Sequence, residues 1–206
     1  MNYLPNQMAM IDIDTLLTWG ATYKKVDAEE TIFQEGSECH FYYQLVSGSV
    51  RWVNINEEGK EFIQTIIEPG ECFGELPLFD DEPYAASAIA NKESVVIRLN
   101  KSTFKQLLKE QPELHFQFSK LITQRLRYKF ILVQELSSAN PEHTITTLLN
   151  YFKKSERHIC PNCNQVNLTR QQIANMTGLR VETVIRTIKQ LEEKGTLKIE
   201  KGKVFY

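Results

Sequence analysis

Between residues 31 and 99 the chain alternates short apolar-rich runs with polar turns. The runs fall at 31–34, 41–46, 50–55, 62–67 and 94–99, and the turns at Glu35 and Gly36, Ser47 and Gly48, Glu58 and Gly59, and Pro69 and Gly70. Runs of this length, punctuated by glycine, predict an antiparallel sandwich or barrel. Ahead of them, residues 12–19 predict a short helix capped by Asp12 or Asp14.

After residue 99 the apolar period lengthens to three and four, which predicts helices over 101–109 and 112–138. In the longer one Leu114, Phe118, Leu121, Arg125, Tyr128, Leu132 and Leu136 fall on one stripe. A core of this size does not cover so long a stripe, so the same helix of a second copy is the expected cover; the alternative is a helix lying wholly on its own sandwich. Small residues and a proline at 137–141 mark a hinge. Beyond it the pattern predicts a helix over 141–154 and a hairpin over 158–167 turning at Pro161 and Asn162. Two helices within 169–194, separated at Thr177 and Gly178, and a two-stranded wing over 196–200 and 203–206 complete the chain.

Composition narrows the class. The chain has 206 residues, 42% hydrophobic and 24% charged, enough for a packed core. No run approaches the ~20 apolar residues that span a bilayer, and the first ten residues lack a basic start and an apolar block. A cytoplasmic protein with no membrane partner is expected. The net charge of −2 hides an asymmetry, since residues 1–139 carry −7 and residues 140–206 carry +5. A basic terminal module suits a polyanion partner.

That module holds the most specific motif. In the segment 168–191 Thr169 is placed to cap a first helix, Ile173 and Ala174 face inward, and Gly178 permits a tight turn. Val184, Ile188 and Leu191 then form the buried stripe of a second helix. Left outward near its start are Arg180, Val181, Glu182, Ile185, Arg186 and Lys189. An Arg at Arg186 suits bidentate bonding to guanine and a Glu at Glu182 suits accepting from cytosine. The same spacing also makes an ordinary intrahelical Glu–Arg pair.

These residues, together with Gly36, Gly48, Gly70 and the run Phe73, Gly74, Glu75, Leu76, Pro77, Leu78 and Phe79, resemble the CRP/FNR family of bacterial transcription regulators over nearly the whole chain. The resemblance implies an α+β fold: a double-stranded β-helix, or jelly-roll, sensor of the cyclic nucleotide-binding type over 1–110, a dimerisation helix and hinge over 111–139, and a winged helix-turn-helix over 140–206. It implies double-stranded DNA, a second copy of the chain and RNA polymerase as partners. Glu182 and Arg186 match the family's base-reading positions, and Thr169, Arg170 and Thr183 match positions that touch phosphates. The start Val181, Glu182 and Thr183 looks more like the oxygen-regulator branch, which implies a TTGA-like palindrome. Ile185 departs from that branch's usual Ser.

The sensor departs further. Phe73, Gly74, Glu75 and Leu76 match the phosphate-binding cassette, yet Tyr84 and Ala85 stand where nucleotide-binding members have Arg and a small residue. A buried phosphodiester needs a fixed charge with paired donors, and Tyr offers one neutral hydroxyl. Asp80, Asp81 and Glu82 nearby repel an anion. Tyr128 and Lys129 replace the small hydroxyl residues that meet the base. The expected effector is therefore something other than cyclic AMP, or none. An iron–sulfur cluster is not expected, because no Cys precedes Cys39, nor is haem, because His40 and His115 have no partner signature.

Cys160 and Cys163, spaced by two residues at the hairpin tip, leave three readings open: a zinc knuckle completed by His158 and His143, a reversible disulfide, or inert thiols. Cys39 and Cys72 suit buried core positions. No phosphate loop with a following Lys, nucleophile elbow or paired metal motif points to an enzyme. The competing non-enzymatic reading is a sensor that acts through protein contacts, its tail a degenerate winged helix.

Overall fold

The computed structural model describes residues 9–136 and 140–206, and the chain forms two compact units, Met1–Ile122 and Thr123–Tyr206. In the first, the Asp12 carboxylate accepts from Thr15 N at 3.0 Å and caps α1 (Ile13–Thr18). The strands are β1 (Thr22–Val26), β2 (Thr31–Phe33), β3 (Phe41–Ser47), β4 (Val50–Ile55), β5 (Glu61–Ile67), β6 (Cys72–Phe73), β7 (Ser87–Ala90) and β8 (Ser94–Asn100). A short helix, α2 (Leu76–Asp80), separates β6 from β7. All pairings are antiparallel, and the strands form two sheets ordered β1-β8-β3-β6 and β2-β7-β4-β5. Apart from the β4–β5 hairpin, chain-adjacent strands cross between the two sheets, as in a jelly roll.

β1, β6 and β7 lie outside the predicted runs. Each has a local reason: β1 carries two lysines and is mostly solvent-facing, β6 is two residues long, and β7 has a single large side chain, Ile89, among small ones, with no alternation. β3 has the opposite character, with Tyr42, Tyr43, Gln44 and Leu45 all buried. Gln44 is tolerated there because both ends of its amide are hydrogen-bonded. Its Oε1 accepts from Ile11 N at 2.9 Å and from the Tyr42 hydroxyl at 2.6 Å, and its Nε2 donates to Ile11 O at 2.8 Å.

The Asn100 side chain accepts from Ser102 N at 2.9 Å and caps α3 (Lys101–Glu110), which buries Phe104, Leu107 and Leu108. The Phe104 ring stacks on Tyr42 at 4.9 Å and meets Phe118 edge-on at 5.4 Å. Phe118 belongs to the long helix α4 (Pro112–Leu136).

Here the structure corrects the expected face. Leu114, Phe118, Tyr128 and Leu132, assigned above to a partner copy, are all buried within the chain itself. Exposed instead are Phe116 (82%), Leu126 (53%), Phe130 (66%) and Val133 (64%). Phe116 and Phe130 are two heptads apart, and Leu126 and Val133 one heptad apart, so the exposed residues follow the 3.5 period of a helix–helix seam. The helix carries two apolar stripes, and the chain covers the one that periodicity alone singled out. The side chain of Leu136 and the hinge at 137–139 lie outside the described residues.

In the second unit Asn140 caps α5 (Pro141–Lys154), accepting from Glu142 N at 3.0 Å. Ile145, Leu148, Leu149 and Phe152 are its buried apolar side chains. They share the unit's core with residues of α6 (Arg170–Thr177) and α7 (Val181–Glu193). The wing is β9 (Lys198–Glu200) paired antiparallel with β10 (Lys203–Phe205). A hairpin arm joins it through the bridge Gln165–Phe205, and the hairpin's own arms meet at Ile159–Val166. Among the described residues no helix is long and apolar enough to cross a membrane.

Candidate nucleic-acid interface

Local signals build the helix pair. Thr169 Oγ1 accepts from Gln172 N at 3.0 Å while Gln172 Oε1 accepts from Thr169 N at 2.9 Å, a reciprocal cap that starts α6. Gly178 ends it at φ 71°, a left-handed conformation that costs a side-chain-bearing residue energy and so localises the turn. Ile173, Ala174 and Met176 of α6 and Val184, Thr187, Ile188 and Leu191 of α7 are buried, which fixes the rotation of α7 about its axis.

That rotation leaves Glu182, Ile185, Arg186 and Lys189 exposed together, lining one shallow depression with Gln190 and Glu193. Among the described residues no hydrogen bond or ion pair engages the heads of Glu182, Arg186 or Lys189, so the intrahelical Glu–Arg pair is not formed and these groups stand ready for an external partner. Arg180 is exposed at the N-terminal end of the same helix, and Val181 and Thr183 are half-buried.

Arg170 is partly committed, since its guanidinium donates to Gly202 O in the wing turn at 3.3 Å. The contact links the first residue of α6 to the wing tip. Burial lowers the Arg170 pKa from its ordinary value. Lys201 and Lys203 are exposed beside Gly202. They were not among the sequence-derived site residues, though a glycine turn flanked by lysines in a basic tail was the available signal.

The sensor cassette presents a different surface. Phe73 and Glu75 are buried, and the Tyr84 ring lies flat on Phe33 at 3.8 Å with 9° between planes. Phe33 also contacts Tyr43 at 5.7 Å and Phe73 at 5.9 Å, so four aromatic rings fill the space beside the cassette. Gly74 has φ 66°, and a Cβ there would fall 2.5 Å from Phe33 Cζ and 3.0 Å from Tyr84. The backbone therefore touches the stack directly. Burial, reinforced by the Cys39 thiol, pushes the Tyr84 hydroxyl pKa up, so it stays neutral. Ala85 is exposed and its carbonyl accepts from Asn54 Nδ2 at 2.8 Å. Leu76 starts α2, half-buried. Beside the cassette, position 84 presents a neutral ring packed on another ring and no fixed charge.

Asp81, counted above as repelling an anion, is engaged by Lys101 at 2.8 Å and Lys105 at 2.7 Å, whose hydrogen bonds hold its carboxyl down to about 2. Its charge is offset locally. Tyr128 and Lys129 serve the second unit, where Tyr128 stacks on Tyr151 at 4.4 Å. The Lys129 ammonium lies 5.7 Å from the Tyr128 ring centroid, and burial followed by Arg125 brings its pKa down to about 8. Cys39 and Cys72 are buried, whereas His40 and His115 are exposed.

Comparison with known proteins agrees with both halves. The cyclic nucleotide-binding domain family matches residues 23–111, and the Crp-like helix-turn-helix domain family matches residues 143–205. The cAMP-activated global transcriptional regulator CRP of Haemophilus influenzae is 30% identical over 189 residues, covering 89% of this chain and 84% of that protein. Its counterpart in Pasteurella multocida is 31% identical over 186 residues, covering 88% and 89%. Among solved structures, CooA from Carboxydothermus hydrogenoformans superposes with a TM-score of 0.79 at 16% identity, covering 97% of this chain and 92% of that one. The c-di-GMP-responsive regulator CLP of Xanthomonas campestris gives 0.75 at 18%, covering 93% and 96%. With a jelly-roll sensor, a capped helix-turn-helix and these relatives in hand, the chain belongs to the CRP/FNR family of DNA-binding transcription regulators.

Proposed function

We propose that the chain is a homodimeric, sequence-specific regulator that reads a two-fold TTGA-like palindrome through Glu182 and Arg186 without cyclic AMP. The observation that carries the reading is the exposed face of α7. Glu182, Ile185, Arg186 and Lys189 project together from a helix whose opposite side is locked into the core. Arg186 donates to guanine, Glu182 accepts from cytosine, and Ile185 offers an apolar surface to a thymine methyl. Thr169, Arg170, Arg180, Val181 and Thr183 supply contacts along the backbone, with Lys201 and Lys203 of the wing adding phosphate neutralisation.

The seam of Phe116, Leu126, Phe130 and Val133 supports the dimer, since four large apolar side chains at heptad spacing are otherwise left in water. Two copies then place their recognition helices about one DNA turn, on the order of 34 Å, apart. At a promoter, RNA polymerase is the partner through which such a dimer activates, or which it occludes. The aromatic stack on Tyr84 supports a sensor that does not take cyclic AMP.

Selection of bound duplexes from a random pool by the reduced full-length protein, with no nucleotide added, tests this at a fixed moderate salt. Enrichment of a two-fold palindrome is expected, and recovery of unrelated sequences sinks the reading. In sedimentation, Phe130→Asp is expected to halve the molecular mass; a dimer that persists unchanged rules out the exposed seam.

A further inference from the structure

The hairpin tip is a second chemical feature that DNA reading does not use. Its backbone is closed tightly: Cys160 N donates to Gln165 O at 2.9 Å, Asn164 N donates to Cys160 O at 2.8 Å, and Asn164 takes φ 59°. Cys160 is half-buried and Cys163 exposed, while Cys39 and Cys72 are buried. The turn closed by the bond from Asn164 N to Cys160 O contains both cysteines, so the two thiols leave one short stretch of backbone.

Of the readings open for this pair, an intramolecular zinc site lacks its remaining ligands. His158 is buried edge-on against Phe152 at 4.8 Å, and His143 Nε2 lies 3.4 Å from Glu135. Among the described residues no three His, Cys, Asp or Glu side chains gather where they could hold a metal ion. A structural zinc needs four ligands.

We propose that Cys160 and Cys163 form a redox-active dithiol that exchanges with low-molecular-weight disulfides and closes to an intramolecular disulfide at the hairpin tip. Cys160 is the attacking group. Hydrogen bonds from the Cys163 thiol and from the N–H groups of Cys163 and Asn162 favour its thiolate, so its pKa lies below the ordinary thiol value. The Cys160 thiolate attacks one sulfur of the external disulfide, whose S–S bond breaks; the other half leaves as a thiolate and takes a proton from solvent. Cys163 gives its proton to solvent and attacks Cys160 Sγ, forming the internal S–S bond and expelling the second half. The two protein thiols are oxidised and the external disulfide is reduced to two thiols.

The site is placed to matter to its neighbours. Tyr206 N donates to Asn164 O at 2.9 Å and Val166 N donates to Val204 O at 2.8 Å, so the hairpin that carries the two cysteines is bonded directly to the wing.

The test uses the reduced full-length protein incubated with glutathione disulfide, then denatured, alkylated and digested with trypsin. Cleavage after Arg157 and Arg170 isolates residues 158–170, which contain Cys160 and Cys163 and neither of the other cysteines. Alkylated thiols are expected to fall from four to two per chain, with that peptide lighter by two hydrogens and restored by a reducing dithiol. Cys163→Ser is expected to stop the reaction halfway, leaving a stable glutathione adduct on Cys160. Adducts accumulating on both tip cysteines with no internal bond, first reaction at Cys39 or Cys72, or an unreactive tip would each overturn the proposal.

Discussion

The sensor cassette and the recognition helix treat their polar and aromatic side chains in opposite ways. Around Gly74 the chain spends Phe33, Tyr43, Phe73 and Tyr84 on one another, and the stack is sealed against the backbone. Along α7 the apolar side chains are equally committed, but Glu182, Arg186 and Lys189 keep their charged heads bare. Side chains that satisfy one another gain rigidity. A surface that leaves charged groups in water keeps them available, at little cost, because exposed ions are well solvated.

The largest test of that contrast is Tyr84→Ala. Removing a buried aromatic from a packed stack is expected to cost about 3–5 kcal/mol, read as a lower melting transition of the sensor unit. A loss below about 1 kcal/mol would mean that the ring is a loose plug rather than part of the core. Arg186→Ala has the reverse profile: unchanged melting, with about 1–3 kcal/mol lost in specific DNA affinity and relaxed preference at one base pair. Unaltered selectivity would remove Arg186 from the base-reading set.

Thr169→Ala sharpens the picture on the folding side. Loss of the reciprocal cap with Gln172 is expected to destabilise the second unit by about 1 kcal/mol in denaturant unfolding. Addition of cyclic AMP should do least, leaving the melting temperature where it was. A rise that grows with nucleotide concentration would show binding to the folded sensor and overturn the filled-pocket reading.

The same contrast explains what could be seen in the sequence. The helix-turn-helix is written in neighbours: Thr169 with Gln172, the Gly178 turn and the period of Val184, Ile188 and Leu191 each fix local structure within a few residues. The sensor depends on partners far apart in the chain. Phe33 and Tyr84 meet only once β2 has paired with β7, far along the chain, so the substitution of Tyr84 for Arg showed a missing charge but not the ring stack beside it. β7 was invisible because Ser87–Ala90 has only one large apolar side chain, Ile89, and no alternation, though three of its residues are buried. On α4 periodicity found an apolar stripe and assigned it the wrong cover, since spacing does not distinguish a face covered by the same chain from one covered by another.

The exposed seam on α4 has a consequence for dose. In the proposed dimer the second copy covers Phe116, Leu126, Phe130 and Val133, so its palindrome-reading form would arise by a second-order association. Where free monomer predominates, halving the amount of protein cuts the number of pairs about fourfold. Target genes would then respond to synthesis and degradation of the regulator more steeply than in proportion, a threshold that requires no small molecule in the sensor.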